Sequence, residues 1–88
     1  MQHWKIEFEK TARDTLKKLD KPIRKQIEKY LDKLSEIEDP RQRGKGLTGL
    51  RAGQWRYRVG DYRLICEIRD DVLVVLVLEI GHRSNIYK

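Results

Sequence analysis

Trp55-Arg56-Tyr57-Arg58-Val59-Gly60-Asp61-Tyr62-Arg63-Leu64-Ile65 alternates apolar or aromatic residues with arginines on both sides of a Gly-Asp pair. A period of two marks a strand, and Gly-Asp between two such runs marks a two-residue turn, so the stretch predicts a β-hairpin. In that hairpin Val59 stands opposite Tyr62, Arg58 opposite Arg63, Tyr57 opposite Leu64 and Arg56 opposite Ile65. Side chains change faces at every step, which puts Arg56, Arg58 and Arg63 on one face. Two cations about 4 Å apart repel by roughly 1 kcal/mol in water and roughly 4 kcal/mol at the effective dielectric of a protein surface. Like charges set opposite each other also weaken a ladder. An anionic ligand is expected on that face.

The charge balance singles out the same segment. Residues 41 to 63 contain seven Lys/Arg (Arg41, Arg43, Lys45, Arg51, Arg56, Arg58, Arg63) against Asp61 alone, whereas the rest of the chain has 13 basic and 13 acidic side chains. The formal net charge of +6 therefore originates in one loop and hairpin. A basic excess concentrated in this way reads as an anion-binding surface, with nucleic acid as the default ligand.

Eighty-eight residues with 39% hydrophobic content support one domain, residues 1–88, with one modest core. The single Cys66 excludes an internal disulfide framework, and its apolar setting makes it a small core residue of a reducing compartment. No run approaches the ~20 apolar residues of a membrane span, and Met1-Gln2-His3-Trp4-Lys5 lacks the apolar core of a signal peptide. A cytoplasmic protein is expected. The two histidines, His3 and His82, are far apart and no ligand-spaced cluster occurs, so no metal or other cofactor is expected.

Upstream of the hairpin, Trp4, Ile6 and Phe8 alternate with polar neighbours over residues 3 to 8, as in a short half-buried strand. Residues 9 to 19 then change period, with Ala12, Leu16 and Leu19 at helical spacing. Asp20 can cap a second helix whose first turn contains Pro22. Ile23, Ile27, Tyr30, Leu31, Leu34 and Ile37 line one face of that helix. Lys25, Glu28, Lys29, Asp32, Lys33 and Glu36 populate the other, a solvated face supported by acid–base neighbours such as Glu28, Asp32 and Lys33. Asp39-Pro40 ends it.

Arg41 to Gln54 reads as a loop punctuated by Gly44, Gly46, Gly49 and Gly53, without the lysine and hydroxyl offsets of a phosphate loop. Beyond the hairpin, Arg69-Asp70-Asp71-Val72 makes a second turn, and Val72 to Leu78 is a continuous apolar run suited to a central strand. Gly81 can end that strand, so that His82, Arg83 and Tyr87 emerge at the sheet's rim beside the arginines. The expected architecture is α+β, with two helices on one face of a mainly antiparallel four-stranded sheet in the order β-α-α-β-β-β.

Strand, two helices, a Gly-rich basic loop, Trp55 to Ile65, an acidic turn, an apolar strand and a closing Gly81-His82-Arg83-x-x-x-Tyr87 together resemble the RelE/ParE superfamily of bacterial toxins, more closely its RelE branch. The resemblance covers essentially the whole chain. It implies a type II toxin that enters the ribosomal A site and cuts mRNA, with no metal, and that is held inactive by a cognate antitoxin. Arg56 and Arg58 match two basic positions that are lysines in RelE itself, Arg63 matches the arginine after the turn, and Arg83 and Tyr87 match the C-terminal pair. The implied catalytic set is Arg58, Arg63, Arg83 and Tyr87, with Lys45, Arg51, Arg56 and His82 binding RNA. Guanidinium groups suit the extra charge of a phosphorane formed by an adjacent ribose 2′-hydroxyl, and a tyrosine ring can stack on a splayed base.

Arginine departs from the lysine pattern in one chemical respect: with a pKa above ~12 it is a poor general base. Tyr87, His82 and Lys45 remain as candidates, and the glutamate that some relatives carry in the loop has no counterpart between Arg41 and Gln54. Besides mRNA and the ribosome, the expected partner is an acidic antitoxin segment covering the basic groove of an otherwise monomeric toxin. The alternatives are inhibition of DNA gyrase without nuclease activity, as in ParE-like relatives, and plain nucleic-acid binding.

Overall fold

The computed structural model describes residues 3–85. The elements are β1 (Lys5–Phe8), α1 (Lys10–Lys18), α2 (Lys21–Glu36), β2 (Lys45–Gly46), β3 (Gln54–Val59), β4 (Tyr62–Arg69) and β5 (Val74–His82). They form one sheet in the order β1-β5-β4-β3-β2, with β1 parallel to β5 and the other neighbours antiparallel. The α+β class and the two helices on one face agree with the sequence. The sheet has five strands, not four: the extra one is β2, two residues of the basic loop that pair Lys45 with Arg56 and Gly46 with Trp55. A Lys-Gly dipeptide has no alternation to betray it.

Period two explains the covered face. Tyr57, Val59, Leu64, Cys66, Val75 and Val77 turn toward Ala12 and Leu16 of α1 and Ile27, Leu31 and Leu34 of α2 in a single buried cluster. Val74 to Val77 are all buried, as expected of the central strand. Burying a Leu- or Ile-sized side chain contributes about 1.5–3 kcal/mol, so this layer supplies most of the stabilisation. Asp20 occupies the position before α2, but it contributes its carbonyl, which accepts from Arg24 N–H at 2.9 Å, and its carboxylate makes no cap. Nor do the helices carry the expected ion pairs; among the described residues every ion pair lies in the sheet and its loops.

The basic loop is tied down from beneath. Trp4 Nε1–H donates to the Glu38 carbonyl at 3.0 Å, the Tyr57 hydroxyl to the Pro40 carbonyl at 2.9 Å, and Trp55 Nε1–H to the Arg43 carbonyl at 2.6 Å. Arg41 grips Asp70 through two bonds of 3.0 and 2.7 Å. That grip holds the Asp70 carboxyl below its usual range. Gly44 has φ of +73°, and a Cβ there would run into the Arg56 carbonyl and the Tyr57 ring. Only glycine lets the loop cross β3 so closely. No helix among the described residues is long and apolar enough to cross a membrane.

Candidate functional site

The hairpin forms in the register that its turn dictates. Val59 pairs with Tyr62, Arg58 with Arg63, Tyr57 with Leu64 and Arg56 with Ile65. Gly60, at φ +58°, takes the left-handed position of a two-residue turn, and Asp61 does not need one. The face opposite the helices therefore carries two adjacent rows, about 7 Å apart along the strands. One row runs Arg58, Arg63, Gly81; the other runs Lys45, Arg56, Ile65, Glu79. Gly81 leaves the space beside Arg63 without a side chain.

Arg63 is the anchored member. It is 9% exposed, and its Nη1 donates to the carbonyls of Gly60 at 3.4 Å and Tyr62 at 3.3 Å. Carbonyl partners help to orient a guanidinium, which is the preorganisation that charge stabilisation needs. Arg58 is exposed across the ladder from it. Arg83 joins at the rim: its N–H donates to the Asp61 carbonyl at 2.8 Å, and its Nε lies 3.9 Å from the Asp61 carboxylate. Lys45 sits beside Arg56 on β2.

Arg51 is placed differently from the other expected RNA contacts. Its guanidinium reaches Glu79 through bonds of 2.6 and 3.3 Å and also donates to Gln54 Oε1 at 3.2 Å. It thus ties the loop over the sheet instead of facing outward alone.

His82 lies on the other side of the sheet from the arginines. The cause is an irregularity between Ile65 and Cys66, opposite which β5 has an additional residue: Ile65 pairs with Glu79 and Cys66 with Val77, so Leu78 is skipped. One extra residue inverts the alternation that follows. Ile80 enters the core, Glu79 and Gly81 turn to the arginine face, and His82 pairs with Tyr62 on the helix side. The rings of Tyr62 and His82 meet edge to face at 5.5 Å. Nδ1 of His82 accepts from Ser84 N–H at 3.3 Å and lies 2.9 Å from the Ser84 hydroxyl. Tyr87 falls outside the described residues.

Two groups of functional interest were not picked out from the sequence. Glu79 is the carboxylate that the bulge brings into the second row. Lys29 and Lys33 of α2 line a pocket of about 340 Å³ with Arg43 and Arg58. A count of i and i+4 spacing finds the lysine pair, but only the fold shows what it faces. Burial raises the Tyr57 and Tyr30 hydroxyls above the ordinary phenol range and pushes the Cys66 thiol up to about 12. Cys66 is thus an inert core thiol, as its apolar setting implied.

A small α+β domain whose helices close one face of a sheet and whose arginines crowd the other is built like the toxin half of a type II toxin–antitoxin pair. A family model described as the ParE toxin of the type II toxin–antitoxin system parDE matches residues 6–87. The chain belongs to this RelE/ParE toxin superfamily, in its RelE-like branch. It is 34% identical to Toxin RelG of Mycobacterium tuberculosis over 94% of both chains, and 29% identical to the mRNA interferase toxin RelE of Escherichia coli over 93% of this chain and 87% of the relative. Its fold is similar to a chain of the toxin–antitoxin complex RelBE2 from Mycobacterium tuberculosis, with a TM-score of 0.84, 32% identity and 97% of each chain covered.

Proposed function

We propose that this toxin is a ribosome-dependent, metal-independent mRNA endoribonuclease that acts in the A site. The observation that carries the reading is the Arg58–Arg63 pair, set against each other across a ladder beside a glycine. Two guanidinium groups set side by side across a ladder suit a phosphate lying over them. The family membership and the likeness to the mRNA interferase toxin RelE support the same reaction.

In this reaction the ribose 2′-oxygen attacks the adjacent phosphorus, the bond from phosphorus to the 5′-oxygen breaks, and the products are a 2′,3′-cyclic phosphate and a 5′-hydroxyl. Arg63 holds the developing phosphorane charge, with Arg58 and Arg83 completing the clamp and Arg56 and Lys45 steering the strand. One preorganised donor is worth about 10²–10³ in rate. The 2′-hydroxyl proton goes to Tyr87 or Lys45 and the 5′-oxygen is protonated in turn; His82 serves as a positioning group at the strand end. Arg51 contributes by holding the loop over the sheet. An antitoxin supplied by the same operon neutralises the face with an acidic segment, in keeping with the toxin–antitoxin complex that this fold is similar to.

Primer extension on translated mRNA after induction, run beside plasmid supercoiling in the same cells, tests the reading. Cuts within codons with unchanged supercoiling are expected. Altered supercoiling without cuts would instead make the cationic face a protein-binding surface of a gyrase inhibitor.

A further inference from the structure

Around the edge of the hairpin from the arginine rows, Gln26, Lys29, Tyr30 and Lys33 of α2 face Arg43, Arg58, Val59 and Gly60 across a pocket of about 340 Å³. These helix positions form one stripe at i, i+3, i+4 and i+7. Four cations line the pocket and no carboxylate does. Among the described residues none of the four is held in an ion pair, although Lys5, Arg41, Arg51, Arg69 and Arg83 each reach an acid. The acids nearest in the helix, Glu28 and Asp32, line a separate apolar groove with Ile6, Phe8, Leu16 and Leu31. Glu28 and Asp32 thus lie away from the hairpin side, on which Lys29 and Lys33 stand.

Arg58 connects the two places. It belongs to the first arginine row through its pairing with Arg63, and it also lines the pocket. It can do both because β2 pairs only with Trp55 and Arg56, which leaves the edge of β3 uncovered at Arg58 and Val59. Between the cations stand neutral donors, the Gln26 amide and the Tyr30 hydroxyl. Burial pushes that hydroxyl above the ordinary phenol range. Cations with interleaved neutral donors and a tyrosine ring suit a nucleotide phosphate and the sugar or base attached to it. The volume lies at the small end of ligand pockets and is of the order a nucleotide fills.

We propose that this pocket is a second RNA-backbone subsite, in which Lys29, Lys33 and Arg43 take phosphates of a strand that reaches it over Arg58. The inference rests on the RNA reading of the arginine face and extends it to a defined path around the sheet edge.

The test compares wild-type toxin with Lys29→Ala/Lys33→Ala and with Lys21→Ala/Lys25→Ala, which removes the same charge from exposed positions of α2 outside the pocket. The probe is a fluorescent single-stranded RNA of 2′-O-methyl nucleotides, which cannot be cleaved, titrated between about 50 and about 200 mM salt. For the pocket variant the slope of log K against log salt should fall in magnitude by about 1.4, the value for two lost single-strand phosphate contacts. The Lys21/Lys25 control should keep the wild-type slope. Circular dichroism verifies that each variant is folded, and Lys29→Glu/Lys33→Glu should weaken binding further.

Co-sedimentation with 70S ribosomes identifies the source of the strand. An unchanged oligonucleotide slope with weakened ribosome binding assigns the subsite to ribosomal RNA, whereas a reduced slope assigns it to the mRNA. If slope, ribosome binding and mRNA cleavage all match wild type, the subsite is refuted while the nuclease reading stands; a loss confined to binding of an acidic antitoxin peptide refutes it in the same way. Absence of cleavage by wild-type toxin, with the slope change still present, refutes the nuclease reading and keeps the subsite.

Discussion

The two ends of the open sheet face arrange their charges differently. Toward β1, cations and acids are matched along the strands: Lys5 with Glu7 at 3.4 Å and Arg69 with Glu67 at 2.6 Å. In the middle Arg51 closes on Glu79. Toward the hairpin turn, Arg58 faces Arg63 across the ladder beside Gly81, and Arg83 at the rim lies 3.9 Å from the Asp61 carboxylate. Both ends are built from alternating strand residues on one sheet, so local propensity does not account for the difference. Matched charge is what a solvated face settles into at a gain of about 0.2–1 kcal/mol per pair. Like charges opposite each other in a ladder cost a similar amount, and an anionic ligand over the Arg58–Arg63 pair offsets that cost.

Four experiments probe that contrast, in decreasing order of expected effect. Arg63→Ala should lower the rate of mRNA cleavage on ribosomes by about 10²–10³ while the melting temperature changes little. A large fall in melting temperature would make Arg63 a structural residue.

Alkaline pH should act on the covered face instead. The Cys66 thiol ionises near 9.0 when exposed and about 12 when folded, so its neutral form stabilises the fold below pH ~9. That contribution is lost as pH rises toward 12, by up to about 1.4 kcal/mol per pH unit. Tyr57, also raised by burial, acts with the same sign. Thermal melts from pH 7 to pH 11 should show the decline, and Cys66→Ala should flatten it.

Arg58→Glu converts the turn end into the matched pattern. Stability should rise by about 0.2–1 kcal/mol in urea unfolding while RNA binding falls. Glu79→Gln does the reverse in the middle of the face, costing about 0.2–1 kcal/mol and changing cleavage by less than threefold. An equal loss of cleavage from Glu79→Gln and Arg63→Ala would erase the distinction between the two regions.

The hairpin was legible because its two-residue turn leaves one register, and the three arginines on one face follow from that register. The helices were legible from a period of 3.6 and the central strand from its continuous apolar run. The face of His82 was not. Counting by twos from Val75 and Val77 sends His82 toward the arginines and Glu79 into the core, and the residue skipped at Leu78 reverses both. β2 was hidden because a dipeptide has no period, and its pairing depends on Gly44 crossing β3. The lysines of α2 looked like part of a mixed solvated face. Their role emerges only when the hairpin and the Arg43 loop are placed against them. Tyr87 was placed at the rim by the strand's end and given its role by the resemblance, and it lies beyond the described residues.

The most direct measurement of the central claim uses purified wild-type toxin and ribosomes stalled on an mRNA with a single 2′-deoxynucleotide on the 5′ side of the phosphate to be cut. Cleavage of the all-ribose message, leaving a 2′,3′-cyclic phosphate, and none of the deoxy-substituted message is the predicted result. Equal cleavage of the two messages would contradict a site built to stabilise attack by the ribose hydroxyl.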